Sequence, residues 1–392
     1  MYDALVIGAG PAGATAARLL AQAGWSVGLV EKSVFPRRKV CGEFISATSL
    51  PLLYDRGLRD GFLVQAGPEV RRVGLFAKDA VLNSAMPSAA KSVAGWGRAL
   101  GRDRLDLMLA EAATRAGAEI WQPWKMIGLE RSADGFSCVI AADDRQQELR
   151  ARIVIAANGS WERSPWLPAV PRSREPSELL AFKAHFRGSA LAPDLMPLLV
   201  FPGGYGGMVH SDGGRVSLSC CIRRDALDAC RQEHRHLPAG EAVLQHIVNA
   251  SDGVRDALRP AHLDGAWLSA GPIRPGIRPR YENGMFFVGN SAGEAHPIIA
   301  EGISMAMQSA WLLSQRLIGG LDSVTQAGIA EAGRLYARDW HKAFATRIRA
   351  AAMFAHLAMW PGAAQVLPIV KRFPEILTWG ARLSGKTTQL VQ

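Results

Sequence analysis

Short apolar runs alternate with glycine-rich turns over the first thirty residues of the chain. Residues 2–7 end in four apolar positions and predict a strand buried on both faces. Residues 14–23 have the small and apolar composition of a buried helix, which Gly24 ends. Residues 26–30 predict a second strand that finishes at Glu31. The pattern therefore predicts a strand–helix–strand unit of a parallel sheet.

The first turn of this unit reads Gly8-x-Gly10-x-x-Gly13. In such a turn the first glycine allows a tight bend, the second lets a pyrophosphate approach the backbone, and the third lets the helix lie close to the strand. The free N–H groups and the positive end of the helix dipole attract the phosphates. Glu31 stands where an acid can accept hydrogen bonds from a ribose. Together these features predict a Rossmann-type dinucleotide site.

The pattern changes twice farther along the chain. More strands, broken by Gly and Pro turns, are predicted at residues 151–157, 179–186, 198–201, 207–210 and 216–221. After residue 326 the composition becomes helical, over 330–357, 364–370 and 374–383. We therefore expect an α/β (α+β) fold with a Rossmann-like domain, an inserted antiparallel-sheet domain and C-terminal helices.

Composition and charge narrow the function classes. The 392 residues are 48% hydrophobic and 20% charged, which is typical of an ordered globular protein. The chain has neither a run of about 18 apolar residues nor a signal peptide, so we expect a cytoplasmic protein. The net charge of +10 comes from short, scattered clusters, so we expect no nucleic-acid partner, although peripheral contact with a membrane surface fits the same charge. The five cysteines predict neither a disulfide framework nor a metal site.

Four blocks resemble the para-hydroxybenzoate-hydroxylase-like flavoproteins. Besides the first turn, residues 284–303 resemble the family's second FAD fingerprint, with Gly289-Asn290 where the family has Gly-Asp. Arg102 begins a helix like the family's arginine-led helix. Asn158-Gly159 follows a predicted strand where relatives carry Asp-Gly. Asparagine keeps the hydrogen-bonding capacity but carries no charge, so we expect FAD binding to survive while the handling of a nicotinamide cofactor changes.

Residues 35–46 carry a narrower resemblance, to the geranylgeranyl reductase and flavin-dependent halogenase branch. Lys39-Val40-Cys41-Gly42 matches the reductases, whereas the Phe-Pro-Arg run before Gly42-Glu43 matches the halogenases. Residues 205–210 resemble a glycine–tyrosine turn of the reductases.

The resemblance implies bound FAD and a discontinuous FAD-binding domain over 1–70, 96–175 and 271–325. It places the substrate-binding domain at 71–95 and 176–270, followed by a C-terminal helical region at 326–392. It also implies a set of cofactor-contacting residues: Gly8, Gly10, Pro11, Ala12, Gly13, Glu31, Lys32, Arg38, Cys41, Gly42, Arg102, Asn158, Gly159, Gly289, Asn290, Gly293, Gly302 and Ile303.

The candidate catalytic groups lie in the same segments. They are Cys41, Glu43, His296 and Glu301. The first three also have a structural alternative, which is a packing residue for Cys41, a helix cap for Glu43 and a hydrogen-bonded structural histidine for His296. The predicted substrate pocket is lined by Phe44, Phe182, Phe201 and Tyr205. Lys78 is the one residue that matches the halogenase lysine, but it equally suits a solvated strand end.

The favoured function is an FAD-dependent monooxygenase that hydroxylates a lipophilic aromatic or polyketide-like molecule through a flavin C4a-hydroperoxide. The first alternative is a reductase of isoprenoid C=C bonds. A halogenase and a flavoprotein that modifies a protein partner are further alternatives. The expected electron source is NAD(P)H or a separate flavin reductase, and a reductase or carrier protein is a candidate partner.

Overall fold

Two β-sheets and a C-terminal helical region make up the computed structural model. It describes residues 1–54, 57–89, 95–132, 134–160, 174–319, 325–360, 362, 365–388 and 390–391.

The strands, in chain order, are β1 (Tyr2–Ile7), β2 (Val27–Val30), β3 (Phe44–Ile45), β4 (Arg72–Ala77), β5 (Ala80–Ala85), β6 (Arg98–Ala99), β7 (Glu119–Trp121), β8 (Lys125–Ser132), β9 (Gly135–Ala142), β10 (Arg145–Ala156), β11 (Leu179–Arg187), β12 (Leu195–Phe201), β13 (Gly204–His210), β14 (Val216–Arg223), β15 (His262–Leu263), β16 (Leu268–Ile273), β17 (Gly276–Ile277), β18 (Tyr281–Glu282), β19 (Met285–Phe287) and β20 (Gly293–Glu294). The α-helices are α1 (Pro11–Gln22), α2 (Leu58–Gln65), α3 (Arg102–Arg115), α4 (Arg224–Glu233), α5 (Ala239–Ala250), α6 (Asp252–Leu258), α7 (Gly302–Ile318), α8 (Gln326–Met359), α9 (Leu367–Arg372) and α10 (Glu375–Ala381).

The first sheet contains the predicted strand–helix–strand unit. Its strand order is β18-β19-β10-β1-β2-β7, and β8 and β9 extend it through β10. The central strand β1 is parallel to both neighbours, β2 and β10, and its last four residues are buried. The continuous apolar run at residues 4–7 thus reflects a strand that is covered on both faces. All of these strands fall inside the residue ranges predicted for the cofactor domain.

The second sheet is mostly antiparallel, with the strand order β15-β11-β14-β13-β12-β4-β5 and with β16 beside β11. Only the pairing of β12 with β4 is parallel among its described strands. The sheet continues to Ile273, past the predicted border at 270, because β16 pairs with β11 up to Leu179. Residues 161–173, just before the predicted border at 175, lie outside the described residues. The inserted antiparallel sheet and the Rossmann-like sheet confirm the predicted fold class.

The strands of the second sheet present two different faces. One face packs on α4, α5 and α6 through a cluster that contains Phe76, Leu199, Val243 and Ile247. The other face points toward the first sheet and the C-terminal helices. There Leu75 and Ala77 of β4 pack with Val370 of α9. The C-terminal helices therefore cover part of the inner face of this sheet instead of forming a separate unit.

The chain returns to the core after α10. Lys386 is 6% exposed, and its ammonium donates to a Glu301 carboxylate oxygen at 2.8 Å and to the Ile299 carbonyl at 2.6 Å. The other Glu301 oxygen accepts from the Ser46 hydroxyl at 3.1 Å. A buried ion pair thus anchors the C-terminal segment to the loop that precedes α7.

None of the helices described has both the length and the apolar character needed to cross a membrane.

Removal of the Lys386 charge should strongly destabilise the protein. Lys386→Met leaves the fully buried Glu301 carboxylate without its cation, and loss of one partner of a buried pair costs about 3–5 kcal/mol. The free energy of unfolding, measured with denaturant, checks this.

Lys371→Met is the matched control, since Lys371 pairs with Asp79 at an exposed position of the same region and such pairs contribute about 0–1 kcal/mol. The double variant Lys386→Met/Glu301→Gln should recover part of the loss because no unpaired charge remains. Equal losses in the Lys386 and Lys371 variants would contradict the anchoring role.

Candidate functional site

A cavity of about 1770 Å³ runs from the carboxyl ends of β1 and β10 to the inner face of the second sheet. The residues predicted to contact the cofactor line it with two exceptions, Gly13 and Arg38. The lining members of that set are Gly8, Gly10, Pro11, Ala12, Glu31, Lys32, Cys41, Gly42, Arg102, Asn158, Gly159, Gly289, Asn290, Gly293, Gly302 and Ile303.

The glycines of the first turn differ in what surrounds them. Gly8 has φ +104°, and a side chain there would meet the Ala157 carbonyl at 2.6 Å. A side chain on Gly13 would meet the Gly8 carbonyl oxygen at 1.8 Å, so this glycine keeps α1 against the turn from behind the cavity wall. A Cβ on Gly10 would meet nothing closer than the Arg102 guanidinium at 3.6 Å. The protein itself therefore leaves space at Gly10, at the N-terminus of α1, which fits a bound pyrophosphate.

Glu31 is held in place at the end of β2. One carboxylate oxygen accepts from the Ala9 amide at 2.9 Å, and the other accepts from the Ser33 amide at 2.9 Å. Burial raises the pKa of this carboxyl, but the Arg37 guanidinium and the two amides outweigh it and lower the pKa below its ordinary value. The group is therefore an anionic acceptor at the cavity wall, as a ribose contact requires.

Arg37 provides a test of whether the cavity fits an anionic cofactor. Its Nη2 pairs with Glu31 at 3.1 Å and with Asp106 at 3.5 Å. Its Nε and Nη1 are buried and have no hydrogen-bond partner within the described part of the chain. Since buried guanidinium donors are rarely left without partners, these two donors fit the oxygens of a ligand. The open space at Gly10 and the donors of Arg37 both match FAD.

The hydrogen bonds of Asn290 explain why an amide stands where the family fingerprint has an acid. Its side-chain amide donates to the Ser160 hydroxyl at 2.9 Å and to a Glu294 carboxylate oxygen at 3.4 Å. Burial raises the pKa of Glu294, although Arg278 opposes the effect from 3.3 Å. An aspartate at 290 would add a second negative charge beside Glu294 and could not donate. The sequence analysis did not identify Glu294. The one available signal was a charged residue within a turn made of small and apolar residues.

Cys41 lines the cavity next to Arg102. The Arg102 guanidinium forms a bidentate pair with Asp106 at 2.7 and 2.8 Å. Although burial alone would lower its pKa, Asp106 and Cys41 raise the pKa of Arg102 above its ordinary value. The thiol accepts from the Glu43 amide at 3.4 Å.

Glu43 lies at the centre of a buried charge cluster. It accepts from the Lys183 ammonium, from His185 Nε2 at 2.8 Å and from the Arg102 backbone amide at 3.3 Å. Burial raises the pKa of the carboxyl, but the Lys183 ammonium and His185 lower it far below its ordinary value. Glu43 lines the cavity, and its contacts hold the carboxylate in the ionised form, so a catalytic role for it stays a prediction.

Arg38 contributes to the same cluster and not to the cofactor cleft. Its guanidinium donates to His185 Nδ1 at 2.9 Å and reaches the Ala266 carbonyl at 3.4 Å. Because a guanidinium only donates, Nδ1 accepts and the ring hydrogen on Nε2 points to Glu43. The prediction of Arg38 as a cofactor contact is therefore corrected, while the neighbouring Arg37 lines the cavity. The polar residues Lys183 and His185 interrupt the apolar run of β11 two positions apart, which was the available signal for a shared face.

His296 and Tyr205 lie together on the cavity wall. The Tyr205 hydroxyl is 3.2 Å from His296 Nδ1, and both side chains are buried. Burial, followed by the nearby His356, lowers the pKa of His296 to about 4. The imidazole is therefore neutral at neutral pH and able both to accept and to donate a proton.

The expected role of Glu301 at the flavin ring needs correction. Glu301 does not line the cavity and is fully buried behind it, where Lys386 and Ser46 satisfy both carboxylate oxygens. The resemblance located the correct turn, but the neighbours Ala300, Gly302 and Ile303 face the cavity instead.

Three of the four predicted substrate-pocket residues line the cavity, and Phe182 does not. Phe44 and Tyr205 line the cavity toward the first sheet. Phe182 does not line it, and it packs in the core under α4–α6. Phe201 lines the cavity and also packs in this core, edge-on against His246 of α5 at 5.8 Å. Alternation along β11 explains the correction of Phe182, since the inner face takes its neighbour Ala181.

The C-terminal helices complete the apolar wall of the cavity, which sequence reasoning did not assign to them. Those of their residues that line it include Phe354, Leu357, Met359, Val366, Leu367, Val370 and Leu377. Four of them, Val366, Leu367, Val370 and Leu377, pack with Leu75, Leu198 and Val200 of the second sheet.

Lys78 is exposed at the turn between β4 and β5. It has φ +51°, and its backbone bonds to Ala250 and Asp252. Although it borders the outer end of the cavity, its exposure fits the solvated strand end that the sequence allowed.

Comparisons with known proteins agree with this geometry. Residues 1–328 match the family described as FAD binding domain. Conditioned medium factor receptor 1 of Dictyostelium discoideum is 27% identical over 81% of this chain, and the match spans 63% of that protein. The digeranylgeranylglycerophospholipid reductase of Methanocaldococcus jannaschii is 26% identical over 78% of this chain and 74% of that protein. Rifampicin monooxygenase of Streptomyces venezuelae is 25% identical over 84% of this chain and 67% of that protein.

Solved structures share the fold. The flavin-dependent brominase Bmp2 superposes with a TM-score of 0.78 at 19% identity, covering 99% of this chain and 94% of the brominase. PqsL of Pseudomonas aeruginosa, a probable FAD-dependent monooxygenase, superposes with a TM-score of 0.68 at 18% identity, covering 96% of this chain and 99% of PqsL.

The family match spans most of the chain, and the relatives include reductases, a monooxygenase and halogenases, as the motifs at residues 8–13, 35–46 and 284–303 predicted. The chain belongs to the FAD-binding domain family and is an FAD-dependent oxidoreductase.

Proposed function

We propose that this flavoprotein is an FAD-dependent monooxygenase that hydroxylates a lipophilic aromatic or polyketide-like molecule. The observation that carries the proposal is the apolar wall of the cavity, which faces the neutral Tyr205–His296 pair. A lipophilic ligand would bury its apolar part there, since binding pockets are mainly apolar with a few placed polar groups. The similarity to rifampicin monooxygenase supports the reaction type.

FAD would be held by the residues that line the first part of the cavity. Gly10 and the N-terminus of α1 would take the pyrophosphate, Glu31 the ribose, and Arg37 an anionic or oxygen-rich part of the cofactor. Asn158, Asn290 and the N-terminus of α7 would contact the remainder.

Reduced FAD supplies the two electrons with which O₂ is split, one oxygen atom going to the substrate and the other to water. The apolar side chains of the second sheet and the C-terminal helices would keep water from the reacting end of the cavity once a lipophilic substrate is bound. Tyr205 and His296 hold an exchangeable proton at that end, because the neutral imidazole can pass a proton to or from the phenol.

The electron source is part of the proposal. Asn158 stands where relatives carry the aspartate of the Asp-Gly turn. This departure favours a separate flavin reductase over direct use of NAD(P)H, which is the alternative donor. The reductase would be a transient protein partner.

A reductase of isoprenoid C=C bonds is the second candidate. Cys41 on the cavity wall, beside Arg102, favours it, as does the similarity to the digeranylgeranylglycerophospholipid reductases. Halogenation is disfavoured by the exposed position of Lys78. A flavoprotein that modifies a protein partner would need an entrance wide enough for a peptide segment.

Arg37→Met should weaken FAD binding by about tenfold to a hundredfold. The variant loses donors that a hydrogen bond to a charged group would use, at about 1.5–3 kcal/mol. The dissociation constant of FAD, titrated by quenching of flavin fluorescence, measures this.

Arg38→Met is the control, because Arg38 points to His185 and away from the cavity. Thermal melting of the FAD-free variants separates loss of affinity from loss of fold. If both variants bind FAD as the parent protein does, Arg37 has no place in the cofactor site.

His296 should make stability depend on pH between about 4 and 6.5. In that range the unfolded imidazole binds a proton and the folded one does not, so stability falls as the pH drops from its ordinary pKa of about 6.5 toward about 4. His296→Gln should flatten this part of the curve of unfolding free energy against pH.

The control is His341→Gln, which changes an exposed histidine of α8 and should retain the parent slope. A parental slope in the His296 variant would show that this imidazole is not buried and neutral in solution.

Single turnover with isotopically labelled O₂ should place one labelled oxygen atom in the product. Chemically reduced enzyme and a lipophilic phenol are mixed with and without oxygen, and the product is analysed by mass spectrometry. We expect no product without O₂, no dependence on halide, and at least partial activity in Cys41→Ser. A product that forms anaerobically, two hydrogens heavier and unlabelled, would decide for the reductase.

A further inference from the structure

Large apolar side chains are unusually exposed on the C-terminal helices. Of the fourteen large hydrophobic residues exposed in the described part of the chain, eight lie between residues 353 and 383. Five of them follow one another along α9, α10 and the next turn: Ile369, Phe373, Ile376, Trp379 and Leu383, each 43–62% exposed. We call these five residues the C-terminal apolar face. Exposed apolar side chains concentrated in one region indicate a surface that another phase or molecule covers.

Basic residues border the C-terminal apolar face. Arg372 lies 6.0 Å from the Phe373 ring, and Arg382 lies 5.3 Å from the Trp379 ring. Lys371 is also exposed, although Asp79 pairs with it. Glu375 is the only acidic residue between 365 and 388. The border is therefore cationic, and it places tryptophan beside arginine, as helices that lie in a membrane interface do.

The same helices separate the C-terminal apolar face from the cavity. Val370, Leu377, Gly380 and Ala381 line the cavity on the inner side, and Ile376 contributes to both. Only the thickness of one helix layer lies between the outer surface and the interior wall. A lipophilic ligand at this surface would reach the cavity without crossing bulk water.

We propose that the C-terminal apolar face docks on an anionic lipid bilayer, in the interfacial plane, and that the lipophilic substrate enters the cavity from the bilayer past α9 and α10. Charge complementarity selects this occupant: anionic headgroups attract Arg372 and Arg382 while the acyl region takes the apolar side chains. A second copy of the chain would instead bring these arginines toward like charges, because a two-fold interface sets the same patch on itself. The entry step rests on the proposed function, whereas docking does not.

The test is flotation of the FAD-loaded protein with phosphatidylcholine vesicles that contain or lack phosphatidylglycerol. The parent protein should bind the anionic vesicles and lose affinity as salt is raised. Phe373→Glu/Trp379→Glu should weaken binding by about tenfold or more, since both apolar anchors are replaced by charges that anionic lipids repel. Val64→Glu is the control, because Val64 is 85% exposed on α2 and should not affect binding.

The basic border is tested separately. Arg372→Gln/Arg382→Gln should also weaken binding by about tenfold or more. Its control, Arg150→Gln/Arg259→Gln, removes the same number of exposed arginines from β10 and from the residue after α6, and should bind as the parent does. FAD content and thermal melting confirm that each variant is folded.

Three results would overturn the proposal: no vesicle binding by the parent protein, equal binding by the apolar-face variant and its control, or a parent dimer that the Phe373/Trp379 variant abolishes. Sedimentation velocity without vesicles detects the last. Because flotation involves no turnover, its failure leaves the proposed hydroxylation intact. Failure of the oxygen-labelling experiment likewise leaves docking intact.

Discussion

The buried contact of Glu43 with Lys183 and His185 connects the two halves of this molecule. Glu43 follows the loop that lines the cofactor cleft, whereas Lys183 and His185 belong to β11 of the inserted sheet. The Arg102 amide adds the start of α3. A buried ion pair contributes little net stability after desolvation, but separating its partners costs about 3–5 kcal/mol. The contact therefore fixes where the inserted sheet lies over the cleft, and with it the shape of the cavity.

This arrangement has a local cost and a consequence for the chemistry. Glu43 takes φ +65°, a left-handed conformation that a residue with a side chain rarely adopts. The cluster satisfies the carboxylate, so this charge is not available as a proton donor. Burial keeps His296 neutral beside Tyr205, which makes this pair the candidate for the proton exchange that the proposed function requires. The charged Glu43 cluster thus fixes the position of the inserted sheet, and the neutral Tyr205–His296 pair lines the cavity.

The C-terminal helices have two functions in this fold. They close the apolar wall of the cavity, and the Lys386–Glu301 pair anchors the chain end behind the cofactor turn. Their outer side remains apolar with a basic border. A helix layer at the surface can bury only one of its two sides inside the molecule. Because the outer side is also apolar, it is suited to contact another apolar phase or molecule, which is the physical basis for a docking surface.

The sequence by itself determined the cofactor domain, because short-range geometry specifies it. The turn from Gly8 to Gly13, the buried strand before it and the acid at Glu31 each have a local reason. Strand positions in the inserted sheet were also predictable from their apolar pattern, and β11 to β14 appear within three residues of the expected limits. The family resemblance located the turn at 284–303.

Only the tertiary structure decided which side chains enter the cavity. Phe182 lies one residue from Ala181, yet alternation along the strand places the two on opposite faces, and the sequence did not state which face met the flavin domain. Arg37 and Arg38 differ in the same way, as do Glu301 and Gly302. Contacts between Lys386 and Glu301, or between Lys183 and Glu43, join residues 85 and 140 positions apart. No local pattern encodes such pairs, because they form only after the sheets and the C-terminal helices have packed together.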